Sequence, residues 1–148
     1  MFMKISKIIT MCFCFALLLM NTQCDEDDQN NLAPCDQSVV VDSGFYDSAA
    51  SNIYELNSAE VIDNCLIVNI SASGCDGDSW SMVVVDSGNI AESSPEQRYL
   101  RFVLTNDEVC LAYVSQERSF DLRPIQVDGS NEIILNIEDF SESLTYTY

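Results

Sequence analysis

The residues with the most definite chemistry are four cysteines in the later part of the chain, Cys35, Cys65, Cys75 and Cys110. Metal binding by these thiols is disfavoured, because the sequence has no C-x-x-C spacing and no histidine. Four cysteines allow three pairings, of which we predict Cys35–Cys65 and Cys75–Cys110. The first would tie the start of the folded domain to a strand beginning near Cys65. The second would join neighbouring strands, and each is worth about 2–4 kcal/mol.

An acidic loop follows Cys75. Asp76 and Asp78 flank a glycine, and alternating carboxylates around a glycine are typical of loops that bind Ca²⁺. The full 12-residue calcium loop that ends in glutamate is absent here. Calcium at Asp76 and Asp78 is therefore one hypothesis, and a plain turn without any cofactor is the favoured one.

Aromatic side chains offer a second kind of site. Trp80, Tyr99 and Tyr113 fall on predicted strands, and together they could form a platform for a sugar or a peptide. Aromatic residues at alternating strand positions also serve as half-buried packing. Packing is the favoured interpretation, and ligand binding is the alternative.

Several catalytic chemistries are excluded by composition. The chain has no histidine, and its only lysines are Lys4 and Lys7. Histidine-based triads, histidine-ligated zinc and a Schiff-base lysine in the later part of the chain are thereby excluded. There is no P-loop, and no spacing singles out one pair among the 24 acidic residues. We predict that the protein is not an enzyme. We also expect arginines such as Arg123 to form structural ion pairs with acids such as Asp121.

The N-terminus has the pattern of an export signal. Lys4 and Lys7 precede an apolar run over residues 8–20, which is shorter than the roughly 20 residues that span a bilayer. Cys24 follows, and then four acidic residues, 25–28. This stretch resembles the signals of Bacteroidota-type lipoproteins. The resemblance implies a signal peptide over residues 1–23, acyl chains on Cys24, an acidic flexible tether over 24–34 and a folded domain over 35–148.

The same resemblance implies a location. An acidic run directly after the modified cysteine is, in that group, the signal for display on the outer face of the outer membrane. Export would also place the domain in an oxidising compartment, where disulfides persist. The alternative is ordinary secretion, with Cys24 left as a free or paired thiol.

Charge limits the partners. The formal net charge is −18, and loss of Lys4 and Lys7 with the leader would leave four arginines against 24 acids, or −20. Such a surface repels nucleic-acid phosphates and anionic lipids. We expect no nucleic-acid partner, and contact with the membrane only through lipid on Cys24.

Short β-branched and aromatic runs separated by Gly, Asn, Asp and Ser predict about seven to nine strands and no long helix. Five details of the prediction are specific: a break near Asn57, a loop over 73–78, a crossing loop over 89–97, a hairpin between residues 99–105 and 109–114, and a strand over 132–137. The pattern favours an all-β, immunoglobulin-like β-sandwich held by disulfides, with a barrel as the alternative.

The runs DNCLIV, GCDGDSW, PEQR, EVC, SFDLRPIQV and LTYTY resemble small secreted lipoproteins of unknown function from the same bacterial group. This resemblance bears on fold and location only. We expect a module that binds a protein or glycan partner at the cell envelope. The alternatives are an accessory or structural envelope lipoprotein without a ligand of its own, and a calcium-binding β domain.

Overall fold

The computed structural model describes residues 35–148. This part of the chain holds nine strands, one short α-helix and one 3-10 helix, Arg123–Ile125. In chain order the elements are β1 (Gln37–Ser38), β2 (Val40–Val41), α1 (Ser43–Ser48), β3 (Glu55–Ile62), β4 (Cys65–Gly74), β5 (Ser81–Ala91), β6 (Glu96–Thr105), β7 (Ala112–Asp121), β8 (Glu132–Ile137) and β9 (Ser143–Thr147).

The strands form two sheets. The four-stranded sheet has the order β1-β7-β4-β3, and the five-stranded sheet has the order β2-β5-β6-β8-β9. The β1–β7, β2–β5 and β6–β8 pairs are parallel, and the other pairs are antiparallel. Val39, which is buried, separates β1 from β2, so the first extended segment passes from one sheet to the other. The predicted β-sandwich is confirmed.

Side-chain alternation explains the core between the sheets. In β8, Ile133, Leu135 and Ile137 are buried while the residues between them are half-buried. Strands with one buried face alternate in this way because successive side chains point to opposite sides of a sheet. The largest side chains of the core include Phe102 and Phe120, whose rings meet edge to face at 6.1 Å.

The predicted hairpin between residues 99–105 and 109–114 is wrong. β6 and β7 belong to different sheets, and residues 106–111 connect them. The whole of β7 pairs with β4, from Ala112 opposite Gly74 to Asp121 opposite Cys65. A short loop between two apolar runs fits a crossing between sheets as well as a hairpin. Long-range pairing with β4 decides between them.

The predicted crossing loop over 89–97 is also wrong. β5 continues to Ala91 through a register shift after Asp86, and β6 begins at Glu96 and pairs back on it. Ser87 and Gly88 therefore mark a bulge and not the end of the strand. The expected break near Asn57 is likewise a register shift, between Leu56 and Ser58, within a continuous β3.

The residues expected to form the signal peptide (1–23) and the tether (24–34), with Cys24, lie outside the described part of the chain. Within residues 35–148, no helix has the length and apolarity needed to cross a membrane.

Candidate functional site

Both disulfides join the partners that the sequence predicts. Cys35 is bonded to Cys65, and Cys75 is bonded to Cys110. The two bonds lie at opposite ends of β4, because Cys65 is its first residue and Cys75 follows its last. Cys35 and Cys65 are buried, whereas Cys75 and Cys110 are exposed. The second disulfide thus fixes a surface loop rather than the core.

The loop at Asp76 and Asp78 is organised by hydrogen bonds of its own. Asp76 Oδ1 accepts the backbone N–H of Asp78 at 3.0 Å, which is a turn interaction. Within residues 35–148, no group of three or more His, Cys, Asp or Glu side chains could hold a metal ion. The hypothesis of a calcium site at these two aspartates gains no support from this geometry.

Glu108 holds the loop after β4 by accepting three hydrogen bonds from it. Its carboxylate accepts the backbone N–H groups of Cys75 and Gly77 and, at 2.7 Å, the hydroxyl of Ser79. These bonds, that of Ser79 first, lower the pKa of Glu108 to about 2 because they favour the ionised form. Glu108 therefore joins the segment after β6 to the loop after β4.

Gly74 makes this contact possible. A Cβ at this position would overlap the Glu108 carboxylate and lie 2.9 Å from Trp80 Cζ2. Any larger residue would displace one of the two side chains. Gly74 is needed for this close approach, whereas the sequence suggested only a loop.

The three aromatic residues predicted to bind a ligand do not form one platform. Trp80 is 6% exposed and belongs to the core, so the favoured interpretation as packing holds for it and the alternative, ligand binding, does not. Tyr99 and Tyr113 are both exposed but stand on the outer faces of different sheets. Tyr113, which is 63% exposed, is the one that lies beside a cleft.

That opening, the Tyr113 cleft, has a volume of about 640 Å³, in the range of small-molecule sites. Its lining combines two tyrosines and an isoleucine with serine, asparagine and glutamate side chains. The lining residues are Ser51, Asn52, Ile53, Tyr54, Glu55, Ser71, Ala72, Ser73, Asn106, Glu108 and Tyr113. A neighbouring cleft of about 530 Å³, which includes Arg101 and Glu138, shares the segment from Ser51 to Glu55.

The two tyrosines of the cleft have different roles. Tyr54 is half-buried, and its hydroxyl donates to the carbonyl of Phe102 at 3.1 Å. Burial, with a smaller contribution from Asp139, raises the pKa of Tyr54 to about 12. The Tyr113 hydroxyl donates to Glu55 Oε2 at 2.7 Å, which holds the exposed ring in one orientation.

A polar strip continues from the cleft across the outer face of the four-stranded sheet. It is formed by Asn57, Asn69, Ser71, Ser115 and Glu117. Asn57 Nδ2 donates to Asn69 Oδ1 and Ser71 Oγ, and the Ser71 and Ser115 hydroxyls are 2.7 Å apart. Asn69 Nδ2 reaches Glu117 Oε2 at 3.4 Å. The strip is held in place by these internal bonds.

Exposed aliphatic side chains lie near the same end of the sandwich. Ile53 is 95% exposed, and Val109 and Leu111, on either side of Cys110, are 91% and 92% exposed. Side chains of this size on a surface are unusual when several come from neighbouring segments. Of the three, Ile53 lines the cleft, whereas Val109 and Leu111 follow its lining residue Glu108 in the chain.

The arginines are mainly structural. Arg123 forms a bidentate pair with Asp121 at 2.7–3.0 Å, as the sequence predicts, and Arg101 binds Glu138 at 3.0 Å. Arg98 and Asp86 are both buried and form an ion pair at 3.2 Å. Burial raises the pKa of Asp86, although the N–H of Gly88 and the charge of Arg98 oppose the shift.

The titratable groups of the Tyr113 cleft bear on the chemistry that it could perform. Two of its residues, Glu55 and Glu108, are carboxylates. A general acid needs a raised pKa, whereas the pKa of Glu108 is lowered. Sequence reasoning missed both residues as part of a site, and Asn52, Ile53 and Ser73 as well. Only the position of Glu108, two residues before a disulfide cysteine, gave a usable signal.

Comparison with known proteins does not identify a function. No protein-family model matches the sequence, and no curated protein is significantly similar to it. Among solved structures, the chain is similar to a protein of unknown function, DUF1344, from Bacteroides vulgatus, with 17% identity and a TM-score of 0.48. The similarity covers 76% of this chain and 56% of that one, so the chain spans little more than half the length of that protein. The function must be argued from the cleft.

Proposed function

We propose that the protein is a non-enzymatic lipoprotein of the outer membrane that displays its β-sandwich at the cell surface as a binding module. Lipid on Cys24 would anchor it, and residues 24–34 would act as the tether. The ligand, a protein or a glycan, would bind at the Tyr113 cleft. The observation that supports binding is the exposed Tyr113 ring, fixed by Glu55 beside an open cleft with polar walls.

Anchoring has a direct test. Cells grown with a fatty-acid probe should label the wild-type protein, and Cys24→Ala should abolish the label. Protease added to intact cells should digest the displayed domain. An unlabelled wild-type protein, or one protected from protease until the cells are broken, would contradict surface display.

Binding is tested with matched tyrosine variants. Purified full-length protein is mixed with envelope from cells that lack it, including the surface polysaccharide, and the retained fraction is measured. We expect Tyr113→Ala to reduce retention at least tenfold and Tyr99→Ala to leave it unchanged. Tyr99 is the appropriate control because it is 40% exposed on the other sheet. Equal retention of all three proteins would favour the alternative, an accessory envelope protein without its own ligand.

A further inference from the structure

We infer that the ligand of the Tyr113 cleft is a neutral saccharide chain, which lies from the cleft along the polar strip. This inference rests on the proposed binding function and names its ligand class. It depends on three features of the site: a fixed aromatic ring, hydrogen-bonding groups that suit sugar hydroxyls, and the absence of arginine and lysine from the cleft among the described residues.

The ring of Tyr113 suits the C–H face of a sugar. One face of a pyranose presents C–H groups, which pack against the electron-rich face of an aromatic ring while the hydroxyls point sideways. Tyr113 is 63% exposed, and its hydroxyl is held by Glu55. A ring fixed before binding loses little conformational entropy when the ligand arrives.

Hydrogen-bonding groups that suit hydroxyls lie around that ring. In the part of the chain that the structure describes, Asn52 Nδ2, Ser73 Oγ and Glu55 Oε1 hold no hydrogen bond, and all three residues line the cleft. A sugar hydroxyl both donates and accepts, so it matches an amide donor, a hydroxyl and a carboxylate oxygen. Beyond the cleft, the exposed members of the polar strip, Asn57, Ser115 and Glu117, lie where the next sugar units would pass.

Charge disfavours the other ligand classes. No arginine or lysine is among the residues that line the Tyr113 cleft, and the chain has a net charge of −18, so uronic acids, sulfated sugars and phosphates are repelled. The negative charge of the chain would attract a basic peptide, but its side chains would need carboxylate oxygens that are open to pair with them. The Glu108 carboxylate already accepts hydrogen bonds from Cys75, Gly77 and Ser79. One oxygen of Glu55 accepts a hydrogen bond from Tyr113. A neutral ligand needs neither kind of charge.

The experiment compares defined probes on the full-length protein. Soluble neutral polysaccharides (a β-glucan, a mannan, a xylan and a dextran) are tested by affinity electrophoresis and titration calorimetry. Polygalacturonate, heparin and polylysine serve as charged probes. We expect at least one neutral polysaccharide to bind and the anionic ones to be excluded.

Variants assign that binding to the site. Tyr113→Ala should weaken it at least tenfold, because the stacking surface is lost. Tyr113→Phe keeps the ring and loses only the bond to Glu55, so it should stay within about threefold of wild type. Ser73→Ala should weaken binding by a few fold, whereas Tyr99→Ala should have no effect. Circular dichroism checks that each variant is folded.

The outcomes separate the inference from the function on which it rests. If no neutral polysaccharide binds but envelope retention still requires Tyr113, the saccharide inference is overturned and the binding function stands. Binding of polylysine alone would identify the ligand as a basic protein and would also overturn the inference. If neither saccharide binding nor envelope retention depends on Tyr113, both proposals fail.

Discussion

The two ends of β4 are each held by a disulfide, yet they differ in their surroundings. At the Cys65 end, Cys35 and Cys65 are buried, and Asp121 of β7 lies opposite Cys65. Arg98, which forms the buried ion pair with Asp86 on the other sheet, donates to the carbonyl of Ile125, four residues after Asp121. At the Cys75 end, the disulfide is exposed, and Glu108 bonds the loop beside the Tyr113 cleft. Burial dominates at one end and surface hydrogen bonding at the other. The first end therefore contributes chiefly to stability, and the second end carries the cleft at which we propose that a ligand binds.

The largest effect is expected at the buried ion pair. Arg98→Met would leave the Asp86 carboxylate buried without its cation, and we expect a loss of about 3–5 kcal/mol in unfolding free energy. In the double variant Asp86→Asn/Arg98→Met both charges are absent and the acceptor for Gly88 remains, so most of the loss should be recovered. Urea unfolding measures the unfolding free energy of the single and the double variant. A double variant as unstable as the sum of its single changes would contradict this account.

Removal of either disulfide should cost about 2–4 kcal/mol, because the two close loops of similar length, with separations of 30 and 35 residues. The variant Cys35→Ala/Cys65→Ala should lose more unfolding free energy than Cys75→Ala/Cys110→Ala, since it also leaves space in a buried region.

Hydrogen exchange refines the comparison of the two disulfides. Removal of the exposed disulfide should speed exchange of the backbone amides at positions 75 and 77, while the amides of β8 keep their protection.

The acid stability profile distinguishes Glu108 from Asp86 by sign. The pKa of Glu108 is about 2 when folded against an ordinary 4.5, so its contribution is complete above pH 4.5 and is lost as the pH falls towards 2. Asp36 and Asp121 act in the same sense, since hydrogen bonds from Ser119 and Arg123 lower each pKa. Asp86 acts in the opposite sense, because its raised pKa makes protonation favour the folded state.

We therefore expect Glu108→Gln to make the loss of stability between pH 4.5 and 2 shallower. Glu92→Gln, at an exposed position between β5 and β6, should follow the wild-type profile. Unfolding midpoints in urea across this pH range provide the measurement. A Glu108→Gln profile parallel to the wild type would show that the carboxylate does not stabilise the loop.

The smallest effect is expected from metal removal. Asp76 Oδ1 accepts a hydrogen bond from Asp78, and Glu108 accepts hydrogen bonds from three donors of the loop. A chelator should therefore leave the melting temperature unchanged. Addition of Ca²⁺ after dialysis should likewise have no effect. A melting temperature that rises with Ca²⁺ and falls with chelator would restore the calcium hypothesis for the loop at the Cys75 end.

Much of the fold could be predicted because it depends on local patterns. The alternation in residues 132–137 predicted β8 with the bounds that the structure gives it. The prediction failed at 89–97 and at 106–111, where turn-forming residues mark a bulge in one case and a passage between sheets in the other. The site was harder to predict, because its members come from β3, β4, β7 and the segments before β3 and after β6.

The amino-acid sequence alone determined the β-sandwich class, the even set of cysteines, and the excluded histidine and lysine chemistries. These properties follow from composition and from side-chain alternation along single strands. The tertiary structure alone decided that Trp80 is buried, that Tyr99 and Tyr113 face opposite ways, and that Glu108 bonds the loop at Gly77. The exposure of a side chain and the identity of its hydrogen-bond partner depend on which distant strands pair. No local sequence pattern encodes that pairing.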